Sequence, residues 1–188
     1  MINSTKHYRN AQIERDLVFK SISQNAMEIA SLNKVSLSLS HKEALKNSNQ
    51  LLTPLVLMNL ISGQKPRLTK SKKSIAQFKL REGKVLGSKV SLRNQYLDIF
   101  LEKFLYLILP QVLENIQTKI KLNRNSINLG IQDLSIFPEL ENQYELLKKT
   151  QGLNINMNLR NQTKNPRMPF YFFSSLKLPL KPLETLKI

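Results

Sequence analysis

Polar and apolar residues alternate without a fault in two places along this chain. One is Val35-Ser36-Leu37-Ser38-Leu39-Ser40, and the other is Gly152-Leu153-Asn154-Ile155-Asn156-Met157-Asn158-Leu159. A period of two is that of a strand with one buried face. Val35, Leu37 and Leu39 are therefore expected inward. The serines then line the opposite face, where hydroxyls meet solvent or the sugars and phosphates of a nucleic acid. Two shorter alternations, Phe78-Lys79-Leu80-Arg81 and Lys89-Val90-Ser91-Leu92-Arg93, set apolar residues on one side and cations on the other. Val85 to Arg93 reads as a strand, with Glu82-Gly83 and Gly87 as turn or bulge positions.

Three stretches have helical spacing instead. Tyr8 to Ile29 carries Ile13, Leu17, Phe19 and Ile22 and predicts an amphipathic helix that packs on a sheet. Leu45 to Ile61 is apolar at helical intervals, with Pro54 as a kink or as the true start. Gly63 and Pro66 stop it, so that Gly63-Gln64-Lys65-Pro66 forms a cap and turn. Asn94 to Gln117 bears a broad stripe from Tyr96 and Leu97 through Phe100, Leu101, Phe104 and Leu105 to Ile108, which Pro110 ends or bends. An aromatic stripe at this spacing is core before it is a cofactor box. Arg67 to Ser74 reads as a cationic loop with an edge or hairpin around it, and Lys119 to Ser126 as a basic connection. Tyr144 to Thr150 reads as a short polar helix or turn. Beyond the last strand, Pro166 and Pro169 interrupt the chain and Phe170, Tyr171, Phe172 and Phe173 come together. They predict a short helix or coil that plugs the sheet, then an extended end from Leu178; base stacking is the other use of such a cluster. Strands and helices interleave with no repeat and no linker. The expectation is one α+β domain over residues 1–188, with a mostly antiparallel sheet, helices on one face, and a basic face and loop left for RNA.

Charge sharpens the picture. The 188 residues hold 29 Lys+Arg against 13 Asp+Glu, a formal charge of +16, with a pI near 10.1. Such a balance calls for an anionic partner, nucleic acid ahead of a membrane surface. The absence of cysteine excludes disulfides and thiolate metal sites. His7 and His41 have no clustered acids beside them, so no metal or catalytic site and no cofactor is expected. Ile99 to Leu109 is the most apolar window. Glu102 and Lys103 interrupt it, and it falls short of the roughly 20 residues that span a bilayer. It predicts a core helix and no membrane insertion. Glu14 and Asp16 make the N-terminus a poor targeting presequence.

The densest cationic run is Ile61 to Arg93. Within 33 residues it holds Lys65, Arg67, Lys70, Lys72, Lys73, Lys79, Arg81, Lys84, Lys89 and Arg93, with Glu82 as its only acid. The residues alone predict a basic α+β domain that binds structured RNA through phosphate and 2′-OH contacts. The run also carries three motifs: ISGQKP at Ile61–Pro66, TKSKKSIAQFKLREG at Thr69–Gly83, and GSKVSLR at Gly87–Arg93. Together they resemble the universal large-subunit ribosomal protein family that binds 5S rRNA in the central protuberance. The resemblance covers about residues 8–160 and leaves a divergent tail at 161–188.

That resemblance implies a structural constituent of the large ribosomal subunit, not an enzyme. Carried over residue by residue, rRNA binding falls on Ser38, Gln64, Lys65, Arg67, Lys89, Ser91 and Arg93. An Asn in the family stands where this chain has Ser38, and a Gly where it has Ser40. The loop that in the family reaches peptidyl-site tRNA corresponds to Ser71, Lys72, Lys73, Ser74, Gln77 and Lys79. The implied partners are 5S and large-subunit rRNA, peptidyl-site tRNA, neighbouring central-protuberance proteins and a small-subunit head protein, the last near Ile136 to Glu139. The composition is rich in Asn, Ile, Leu and Lys and poor in Gly and Ala, as in coding from an AT-rich genome. With the resemblance starting almost at residue 8, this suggests a mitochondrial, organelle-encoded protein. The alternatives are a basic peripheral membrane protein, or a general RNA-binding protein outside the ribosome. An RNA-modifying enzyme would need clustered carboxylates or a His acid–base pair, which the 13 acids do not supply.

Overall fold

The two long alternations become neighbouring central strands. In the computed structural model, which describes residues 2–21, 28–40, 52–78, 80–114, 119–123, 125–147, 152–160, 167–178 and 180, β1 (Leu32–Ser40) pairs antiparallel with β6 (Leu153–Leu159). β1 also pairs antiparallel with β3 (Val85–Leu92) on its other side. The remaining strands are β2 (Arg67–Lys70), β4 (Lys119–Asn123) and β5 (Ser126–Ile131). They complete a six-stranded sheet in the order β2-β3-β1-β6-β5-β4, antiparallel at every pairing. Val35, Leu37 and Leu39 are buried as expected. On the same side stand Val90 and Leu92, then Ile127, Leu129 and Ile131, then Leu153, Ile155, Met157 and Leu159. This is one apolar wall, and the helices cover it.

The helices are α1 (Ile2–Ser21), α2 (Leu52–Ser62), α3 (Asn94–Lys103), α4 (Leu109–Glu114), the short α5 (Tyr144–Leu147) and α6 (Met168–Ser175). α2 lies on β1 and β3 with Leu57, Met58 and Ile61 buried, and the buried Ser88 hydroxyl of β3 donates to the Pro54 carbonyl at 3.2 Å. α1 packs on α6 through the sequence's aromatic cluster: Phe172 and Phe173 are buried, and Phe170 and Tyr171 half-buried. The packing role therefore holds for that cluster. Pro169 sits in the first turn of α6, where its missing N–H is no loss.

Several expectations need correction. Ile13 and Leu17 of α1 are buried, but Phe19 is 84% exposed, because it falls two residues beyond Leu17, on a different side of the helix. The stripe of the second long helix opens with Tyr96 half out of the core, at 49% exposure. Pro110 does not end that helix. A single π-turn, Phe104–Ile108, stands between α3 and α4, and the Leu109 N–H donates to the Phe104 carbonyl. Pro110 has no N–H to give the Tyr106 carbonyl, and the wider turn just ahead of it absorbs the mismatch. The turn also rotates Tyr106 and Leu107 outward, to 72% and 52% exposure. Lys119 to Asn123 is not a connection but the edge strand β4, paired with β5 in a hairpin. Within the loop between β2 and β3, Ala76–Phe78 is one turn of 3₁₀-helix, and Leu80 bridges to Ile75. The expected helical residues 22–27, 45–51 and 115–117, the turn at 148–150 and the chain end from 181 lie outside the described residues.

Candidate nucleic-acid interface

With the buried apolar residues of the central strands committed to the helices and Leu68 of the edge strand β2 left 44% exposed, the other side of the sheet is mainly polar. Directly opposed residues in antiparallel strands point to the same face. The pairing Arg67↔Lys89, Lys89↔Ser38, Ser38↔Asn154 and Asn154↔Gly130 therefore makes one transverse row across five strands. The next row runs Ser91↔Ser36, Ser36↔Asn156 and Asn156↔Asn128. A third holds Lys34↔Asn158 and Asn158↔Ser126. These side chains line an open concavity of about 840 Å³, whose walls include Lys34, Ser38, Lys89, Asn128, Asn154 and Asn156. Among the described residues no helix covers it. Its groups are hydroxyls, amides and ammonium or guanidinium ions, which suit phosphate, ribose and base edges and offer no nucleophile with its base.

The expected rRNA-binding residues distribute as follows. Ser38 is half-buried in the middle of the face, whereas Lys89 and Ser91 are exposed on β3. Arg67 is exposed on the edge strand directly opposite Lys89, so two cations lie side by side. Arg93 is exposed just past the end of β3. Gln64 and Lys65 belong to the turn after α2 rather than to the sheet. Gly63 takes φ +62 there, the left-handed conformation that ends a helix, and its N–H donates to the Asn59 carbonyl at 2.8 Å. The buried Ser62 hydroxyl donates to the Met58 carbonyl at 2.6 Å and accepts the Gln64 N–H at 3.2 Å. That pins the turn and presents Lys65 to solvent.

The cationic loop joins β2 to β3 and has an internal frame. Ser71 N–H donates to the Lys84 carbonyl at 2.8 Å, and Gly83 N–H to the Ser71 carbonyl at 3.0 Å. Ile75 and Leu80 exchange two hydrogen bonds of 3.0 and 3.1 Å. Ser71 and Ser74 both use their hydroxyl hydrogens inside the loop, on the Lys73 carbonyl at 2.7 Å and the Leu80 carbonyl at 3.0 Å. They shape the loop. Lys72, Lys73 and Gln77 are exposed on it, beside Phe78 at 61% exposure. Lys79 lies outside the described residues. Of the stretch Ile136 to Glu139, Phe137 is buried and Glu139 is ion-paired with Lys103 of α3, which leaves Pro138 as its exposed residue.

The asparagines of β6 and β5 were not among the expected site residues, although the strict alternation of Gly152 to Leu159 already put Asn154, Asn156 and Asn158 on one face. Asn156 donates through Nδ2 to Asn128 Oδ1, which ties the two strands together on the open side. Its own Oδ1 has no hydrogen-bond partner among the described residues, so the pair keeps an unused acceptor. Among the described residues no group of three or more metal-ligating side chains comes together.

Two family profiles match this chain in tandem. The one described as Ribosomal protein L5 matches residues 25–81, and its companion, which describes the C-terminus of the same ribosomal family, matches residues 85–179. The large ribosomal subunit protein uL5m of Reclinomonas americana is 35% identical over 152 residues, which cover 80% of this chain and 83% of that protein. Strands β1 and β2 come from the first matched segment and β3 to β6 from the second. In the sheet β1 lies between β3 and β6, so neither segment makes the sheet alone.

Proposed function

The chain belongs to the ribosomal protein L5 family, and from that premise we propose that its open sheet face and the turn after α2 bind 5S rRNA, or its structural equivalent, in a mitochondrial ribosome. The coarser role follows from the family: a structural, non-enzymatic constituent of the large ribosomal subunit. The observation that carries the finer reading is the transverse row Arg67, Lys89, Ser38 and Asn154, set on a face that no part of the described chain covers. Cations at one end take phosphate oxygens, while Ser38 and the asparagines reach ribose hydroxyls and base edges. Gln64 and Lys65 extend the same surface from the pinned turn.

The exposed Lys72, Lys73 and Gln77 form a second, separate contact, with peptidyl-site tRNA. The loop is closed on itself by its own serines, and these side chains stand exposed on it. The segment Ile136 to Glu139 is the contact with a small-subunit head protein, made chiefly by Pro138 because Phe137 and Glu139 are engaged within the fold.

Sucrose-gradient fractionation of an organelle lysate tests the ribosomal reading. The protein is expected with the large subunit and the monosome, and is expected to leave the monosome peak when magnesium is withdrawn. A signal that stays at the top of the gradient, or pellets only with membrane, would overturn it. For the loop, Lys72→Glu combined with Lys73→Glu should weaken tRNA binding to the assembled subunit by about tenfold, as expected for reversal of two phosphate-facing charges. Incorporation into the subunit should be nearly unchanged. Equal loss of both would show that the loop belongs to the rRNA interface.

A further inference from the structure

At the end of the sheet nearest α3, two arginines stand together. Arg93 leaves β3 in extended backbone, φ −143 and ψ 160, so the alternation of Lys89 and Ser91 on the open face continues through it. It holds the N-cap position of α3, yet its side chain makes no capping hydrogen bond. Arg160 follows β6 directly and continues the series Asn154, Asn156, Asn158 on the same face. Its N–H donates to the Ser31 carbonyl at 2.7 Å, which fastens it beside the start of β1. Arg93 and Arg160 thus flank β1 from its two neighbours, and both line one concavity of about 560 Å³ with Asn33 and Asn94.

Both arginines are exposed, and neither has an ion-pair partner among the described residues. Asp98 is the only acid in that lining; it is buried and has an interaction of its own. Two guanidinium groups therefore face the concavity against one carboxylate. Lys34 stands in the adjoining row, opposite Asn158. This corner, lined also by Leu97 of α3, adjoins the polar face along the chain: Asn33 precedes Lys34, and Arg160 follows Asn158 by two residues.

We infer that Arg160 is a phosphate-binding residue which, with Arg93, clamps a phosphodiester of the RNA lying on the open face, and so extends that interface to the α3 end of the sheet. The inference rests on the RNA-binding reading of the face and adds to it a residue, a place and a ligand group. A guanidinium fork takes two phosphate oxygens at once, which a single ammonium ion does not. Two forks from strands on either side of β1 fix the path of the RNA backbone across the sheet end.

The test is a salt titration of the full chain binding a labelled 5S rRNA transcript. Arg160→Gln should lower the slope of log affinity against log salt by about one and weaken binding about five- to tenfold at moderate salt. Arg160→Lys should restore most of the slope and only part of the affinity, because it returns the charge without the fork. Arg15→Gln, on an exposed position of α1, should change neither. If Arg160→Gln matches the wild type while Arg93→Gln weakens binding, the clamp is overturned and the RNA-binding face stands. If the unaltered chain fails to bind the transcript at low salt, the reading of the face fails, and the clamp with it.

Discussion

Raising the salt from 50 to 200 mM is expected to weaken binding of this protein to its rRNA by about a thousandfold or more. The figure follows from counterion release. A surface that neutralises about six to ten phosphates frees a comparable number of condensed cations, and each costs affinity as bulk salt rises. The cations are in place for it: Lys34, Arg67, Lys89 and Arg93 on or beside the open sheet face, and Lys65 on the adjoining turn. Arg160, beside Arg93 at the α3 end of the sheet, makes the sixth. Filter binding or fluorescence anisotropy at four or five salt concentrations measures the slope directly. A flat response would mean that hydroxyls and amides of the face, not its cations, carry the affinity, and would sink the phosphate-clamp mechanism.

The second large effect is on folding. Gly87→Ala should destabilise the protein by about 3 kcal/mol or more, near the upper end of what overpacking costs. A Cβ at Gly87 would stand 2.2 Å from the Leu39 carbonyl oxygen and 3.0 Å from the Ser40 Cα, both backbone atoms of β1. No side chain is there to move aside, so β1 and β3 must part where Gly87 pairs with Ser40. For a chain of this size that corresponds to a fall in Tm of about 6–12 °C. Gly130→Ala is the matched control. Its Cβ would meet only the Asn154 side chain, at an ordinary 3.6 Å, and its effect should stay within about 1 kcal/mol. Thermal unfolding of both variants decides it. Equal melting temperatures would mean that the strands are not as closely apposed at Gly87 as described.

How much of this was legible in the sequence depends on which element is asked about. The strands with a period of two could be read because one face is wholly apolar and the other wholly polar, and a register slip of one residue would invert both. The packing role of the aromatics at Phe170 to Phe173 was legible instead from their adjacency, although they pack on α1. β4 was missed because Lys119-Ile120-Lys121-Leu122-Asn123 is a short cationic edge, whose composition resembles a loop more than a strand. The alternation of Phe78 to Arg81 left sheet and loop both open, and the 3₁₀ turn at Ala76–Phe78 places its start in the loop. The π-turn at Phe104–Ile108 had Pro110 as its only sign, and a proline marks that a helix must adjust without saying how. Of the site, the cations of Ile61 to Arg93 stood out by density. Arg160 did not, since a single arginine after a strand has no meaning until the sheet order brings it to the other flank of β1 from Arg93.

The placing of cations on the border strands has a consequence for the chain before it meets any RNA. A sheet with two open margins is a template on which another copy can add its own strand, and a flat, apolar margin invites fibres. Here Arg67 and Lys70 occupy one margin, and Lys119 and Lys121 the other. Like charges along an edge strand disfavour its pairing with the same edge of a second copy. On the proposed reading Arg67 serves twice, as an RNA contact and as a charge that discourages edge-to-edge pairing.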